Sequence, residues 1–221
     1  MTDSTALSAL ATTHRPLGTL TGAASLVLGP ALIALALATL HEPWLGDLPN
    51  HDVVDHEHGL LMLSFNLAAA AFPFLFGSVF ALALAARRAP RLAGAGLACS
   101  VLGLSAMSAN AMLSVPIVLM NGIAEHAPLD ELAGRLAQPP LAFLYLFPLF
   151  LVGSILQAVA LHRAGALSRW AALAVALGGL FPAAMVLGIG LLALPIAALR
   201  IAGSVPIITA MLRTRTDSSD A

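Results

Sequence analysis

The sequence predicts an all-α, polytopic transmembrane helical bundle of about six helices, with both termini cytoplasmic. Three observations predict it. Only 10% of the 221 residues are charged and 59% are hydrophobic, whereas a soluble domain carries about 25% charged side chains to keep its surface wetted. Mean hydropathy is +0.93, and apolar runs of about 20 residues recur, each enough to cross a bilayer core as helix. Finally, the arginines gather on one side of those runs.

Composition excludes several functions as well. A net charge of −1 gives no basis for a nucleic-acid partner. The single Cys99 excludes an intrachain disulfide and CxxC chemistry. Lys is absent, which fits the codon bias of a GC-rich genome and carries no functional meaning.

In chain order, residues 1–16 form a polar tail and residues 17–212 a single transmembrane domain, with a second polar tail over 213–221. Within the domain the predicted helices are roughly 17–40, 58–86, 92–120, 140–162, 169–188 and 191–212. The first run is too long for a signal-peptide core and lacks a small-x-small cleavage site before His41, so it is expected to remain as a helix. The second follows Asp52 and Asp55, acids of the kind that cap and charge a helix start. Only Gly188-Ile-Gly190 separates the fifth from the sixth, and a re-entrant segment over 189–212 fits that pattern equally. Prolines recur in every run: Pro30, Pro73, Pro116, Pro148, Pro182, Pro195 and Pro206. Bilayer helices accept them where neighbours re-satisfy the freed carbonyl.

Charge sets the orientation. Arg15, Arg87, Arg88, Arg91, Arg163, Arg169, Arg213 and Arg215 fall on one side of this topology. The opposite loops hold His41, Glu42, Asp47, His51, Asp52, Asp55, His56, Glu57, Glu125, His126, Asp130 and Glu131, with Arg135 the one basic residue. Short arginine-bearing loops stay cytoplasmic, so the acidic, histidine-containing loops are expected outside the cell membrane. A shift of 75 residues lays Phe72-Pro73 on Phe147-Pro148 and Arg88-Ala89 on Arg163-Ala164. This suggests a parallel repeat of hairpins 58–120 and 140–188, a device some transporters use.

The chemically richest stretch is HDVVDHEHG at 51–59. On a helix His51, Asp55 and His58 stand at i, i+4 and i+7 and form one stripe. Two imidazoles and a carboxylate suit Zn²⁺ or another divalent transition metal, although the spacing matches no established motif. A proton- or solute-handling mouth and a plain hydrated loop are the alternatives. Arg200 is the one formal charge well inside a predicted span, and such a charge marks a functional site by default. A headgroup-directed, snorkelling Arg200 is the competing expectation. Asn66 and Asn110, polar residues within the second and third helices, complete the candidate substrate-binding set.

The inner turns AARRAPRLAG and HRAGALSRW, set among paired hairpins after a histidine-containing outer loop, resemble small multi-pass integral membrane proteins of GC-rich bacteria. The resemblance spans roughly 15–210 and implies a bacterial plasma-membrane location and a helix count, with no activity attached. Three readings of function follow from the residues. The chain is a small-solute or ion permease, or the membrane subunit of a transporter. Alternatively it is a membrane-embedded enzyme or metalloprotein working through His51, Asp55 and His58. The third is an accessory subunit packed on a larger membrane partner or on further copies of itself. The bilayer is the one partner common to all three.

Overall fold

The computed structural model describes residues 16–39, 51–121, 141–181 and 190–219, with side chains described over a narrower set within them. Among the described residues the chain is all helical, in six α-helices: α1 Pro16–Ala38, α2 His51–Ala85, α3 Pro90–Asn121, α4 Leu141–Arg163, α5 Arg169–Leu177 and α6 Ala193–Ser219. Short 3₁₀ turns follow α5 (Gly178–Leu180) and precede α6 (Gly190–Leu192). The expected Gly188–Gly190 break falls mostly within 182–189, outside the described residues, as do the N-terminal tail up to residue 15 and the acidic connections over 40–50 and 122–140; the expected C-terminal tail over 213–221 is instead helical as far as Ser219.

Four segments are long and apolar enough to cross a membrane: Gly18–Ala38, Leu63–Ala85, Pro90–Ala109 and Ala193–Arg213. The described parts of α4 and α5, Pro148–Arg163 and Arg169–Leu180, are shorter but equally apolar. The outward surface agrees with this. Leu28 and Leu35 on α1, Val152, Ile155 and Val159 on α4, and Leu199, Val205 and Leu212 on α6 all point away from the bundle. Serines, a glutamine and an arginine are buried instead. A water-soluble bundle reverses that arrangement, because exposed apolar area costs about 25 cal/mol per Å² in water. These are features of an integral membrane protein.

The helices form a ring. Each packs on its chain neighbours, and α6 closes the circle against α1. The turns at residues 86–89 and 164–168 lie at one end, joined by a core of Leu82, Ala85, Ala93, Leu161 and Leu167. A second core, with Leu37, Phe72, Leu75, Leu104, Phe150 and Phe181, fills the other half. The second inner turn has a clear local cause. Gly165 takes φ +74°, Ala166 N–H donates to Leu161 O at 3.0 Å and Gly165 N–H to His162 O at 3.0 Å, which is the Schellman pattern that ends a helix. Ser168 then caps α5 by accepting from Ala171 N–H at 3.3 Å. Trp170 is exposed beside it, with the Arg169 guanidinium 5.3 Å from its ring centroid. That pairing suits a headgroup boundary.

Small residues set how closely the helices approach. Gly-Ser pairs occur at Gly77-Ser78, Gly153-Ser154 and Gly203-Ser204, each glycine ten residues before an arginine at the turn end, Arg87, Arg163 and Arg213. Each pair faces the preceding helix in the same way. A Cβ on Gly77 would strike Ser25, one on Gly153 would strike Ser100, and one on Gly203 would lie 3.0 Å from Val175 Cγ2. The three struck residues stand at intervals of 75. One turn further along, Gly29 abuts the backbone of Phe74 and Leu75, Gly103 abuts Phe150, and Gly178 abuts Arg200. The bundle is thus three similar hairpins, α1–α2, α3–α4 and α5–α6, side by side in one direction. The Gly-Ser pairs of α2 and α4 are offset by 76 residues, one more than the shift of 75 read from the sequence.

Candidate functional site

The three-hairpin pattern singles out one position. Phe74, Phe150 and Arg200 each precede a Gly-Ser glycine by three residues, and each meets a glycine of the preceding helix. Two hairpins hold a phenylalanine at this position. The third places a guanidinium.

Arg200 lies seven residues after the start of α6, about 10 Å along its axis. Its side chain is 1% exposed. The aliphatic stem passes over Gly178, where a Cβ would stand 2.7 Å from Arg200 Cγ, so the glycine makes the space the stem occupies. The guanidinium carbon is 5.3 Å from the Phe150 ring centroid, and Nη1 donates to Ser154 Oγ at 3.2 Å. This direction answers the competing expectation: the chain runs into the bundle against α4 and does not snorkel to headgroups.

Buried polar side chains accompany Arg200 within the bundle: Ser78 on α2, Ser100 on α3, Ser154 and Gln157 on α4, and Ser204 on α6. Some are satisfied locally. Ser78 Oγ donates to Leu75 O at 2.8 Å and Ser204 Oγ to Arg200 O at 2.8 Å, bonds that return a helical serine to its own backbone. Gln157 Nε2 reaches across the ring to Val79 O at 3.1 Å, linking α4 to α2. Four buried atoms have no partner among the described residues: Arg200 Nε, Arg200 Nη2, Gln157 Oε1 and Ser100 Oγ.

Among the described residues no carboxylate pairs with the arginine. The sequence holds no Asp or Glu between Glu57 and Glu125 or between Glu131 and Asp217. Asp55 and Glu57, the nearest acids in α2, lie roughly 30 Å along that continuous helix from the Ser78 level. An unpaired charge in a membrane helix costs about 2.5–3.5 kcal/mol even on insertion scales, and each orphaned buried donor about 1–3 kcal/mol more. One serine bond and one cation–π contact, the latter about 2 kcal/mol when desolvated, offset only part of this. The site is electrostatically incomplete as it stands.

The other candidate residues fall elsewhere. Asn66 is exposed on α2, in the half of the helix remote from the arginine turns, so the structure does not bring it to Arg200. The Asn110 side chain lies outside the described residues, as do those of His51, Asp55 and His58. The backbone of α2 does begin at His51, so those three residues occupy helical positions i, i+4 and i+7. No group of three metal-ligating side chains occurs among the described residues, a set that does not include this one. Ser154 and Phe150 join Arg200 through contact alone; in sequence they read as ordinary residues of an apolar helix. No family model matches the chain, and no curated protein or solved structure is significantly similar to it.

Proposed function

We propose that the protein is a small-solute permease of the bacterial cell membrane, with both termini cytoplasmic and the acidic, histidine-rich connections facing outward. One observation carries this reading: a fully buried guanidinium with two donors unpartnered and no paired acid among the described residues. A fixed cation there repels cations and offers an anionic solute the charge and hydrogen bonds it gives up on leaving water. The surrounding serines and Gln157 supply a polar path between two apolar halves, and the proline-bearing helices provide places where backbone carbonyls can line it.

The test is solute flux into proteoliposomes containing the purified chain. Uptake of small organic anions above that of protein-free vesicles is expected, and Arg200→Ala is expected to reduce it to the background. Wild-type vesicles that pass no solute of any charge would defeat the permease reading and favour an accessory subunit.

A metal-binding outer face is a second reading, favoured by α2 beginning at His51, which gives His51, Asp55 and His58 helical spacing. Here the expected result is stoichiometric zinc or another divalent transition metal in purified protein, by mass spectrometry, lost in a His51→Ala/His58→Ala double variant. Protein that stays metal-free after loading excludes this reading and leaves the arginine layer untouched.

A further inference from the structure

We infer that Arg200 presents a binding site for a carboxylate monoanion, held side-on by Nε–H and Nη2–H. The inference deepens the permease reading by naming the class of solute. It begins with which donors are free. A guanidinium offers its five N–H bonds in a rigid plane. In Arg200 one N–H of Nη1 is committed to Ser154 Oγ, and the two nitrogens with no partner among the described residues are Nε and Nη2. These two share one edge of the plane, and their N–H bonds run parallel. That edge matches the two coplanar oxygens of a carboxylate and makes two charge-assisted bonds at once. A spherical halide can use the charge but not the pair of directions.

The rest of the site restricts the class further. Phe150 lies against the guanidinium carbon and Gly178 against the stem, so the plane is fixed by contacts on α4 and α5 before any ligand arrives. Arg200 is the one buried charged residue among the described residues. A single positive charge neutralises a monoanion. A dianion such as sulfate would leave a net negative charge among apolar side chains, with the desolvation penalty that implies. The comparison of hairpins supports the assignment independently. The equivalent positions hold the uncharged residues Phe74 and Phe150, so the close approach to the preceding helix does not by itself call for arginine at the third.

The test uses the full-length chain in detergent, with thermal unfolding followed in acetate, propionate, chloride and sulfate at matched ionic strength, and in oleate below its micellar concentration. Saturable stabilisation by acetate and propionate, absent with chloride and sulfate, is expected. Arg200→Lys keeps the charge but loses the fork, and is expected to weaken the acetate response by about tenfold or more. Should that variant fail to fold, the wild-type anion series alone decides. Equal stabilisation by chloride and acetate, or no response to any anion, overturns the inference. A response to oleate without acetate supports the carboxylate chemistry and assigns its source to a lipid chain. Binding is read without transport, so a carboxylate response beside absent flux sinks the permease reading alone. Flux beside a response to chloride equal to that to acetate sinks this inference alone.

Discussion

Arg200→Met is expected to raise the thermal midpoint of the ligand-free protein while removing its response to anions. Methionine is unbranched, follows the groove over Gly178 that the arginine stem now occupies, and can set its sulfur against the Phe150 ring that now faces the guanidinium. It removes a buried charge that has no acid to pair with and two donors with no acceptor. Replacing buried ionic groups by apolar residues of similar volume is often stabilising, by about 1–4 kcal/mol. Sites kept for function commonly cost stability in this way. The outcome separates two roles for Arg200. If it were structural glue through Ser154, loss of that bond would lower the midpoint. A stabilised Met variant that also keeps full solute flux would remove Arg200 from function altogether. Thermal unfolding in detergent, read beside flux, checks both.

Gly103→Val is expected to be the most damaging single substitution away from the arginine. A Cβ at Gly103 would lie 2.8 Å from Phe150 Cα, and it would also strike the Phe150 backbone nitrogen. The obstacle is backbone, so no rotamer change relieves it and α3 must move off α4. Without a hydrophobic force between helices in lipid, close packing of this kind is what holds them together. Overpacking a tight contact costs about 1–3 kcal/mol, and more where the neighbour cannot yield. We expect a loss of more than about 3 kcal/mol and little folded protein in detergent. Gly94→Ala on the same helix is the control. Nothing lies within 4 Å of a Cβ there, and alanine in a helix gains about 0.5–1 kcal/mol over glycine. The pair is read by size-exclusion profile and thermal midpoint. Similar behaviour of the two variants would show that the α3–α4 contact is not as close as described. Because Phe150 also faces Arg200, the valine variant should weaken anion binding in whatever fraction still folds.

Much of the fold was legible in residue order. Helix positions followed from where apolar runs met polar breaks, because a span of fixed thickness needs a fixed length of apolar helix. The start of α2 was placed late, at 58 instead of His51, since hydropathy marks where a helix leaves the apolar layer and not where it begins. Asp52 and Asp55, read as capping and first-turn acids, lie inside the helix, which already includes His51. The third Gly-Ser pair was also present in the sequence, with Arg213 ten residues on. It follows the second by 50 residues where the second follows the first by 76, so one fixed shift cannot align all three. The offset is smaller because α5 spans 9 residues where α3 spans 32.

The sequence by itself determined that this chain lies in a membrane, where its spans run, which turns carry arginine, and that one arginine falls inside a span. Those are properties of composition and order, and the bilayer enforces them one helix at a time. Only the tertiary structure decided where the side chain of that arginine lies. Whether a long side chain reaches the headgroups or turns inward depends on the surface its stem meets, and Gly178 on another helix supplies that surface. Which of its donors remain free depends on Ser154, 46 residues away, and on ring closure that brings α4, α5 and α6 together. Hydropathy sums over neighbours in sequence. The charge balance of a buried site sums over neighbours in space.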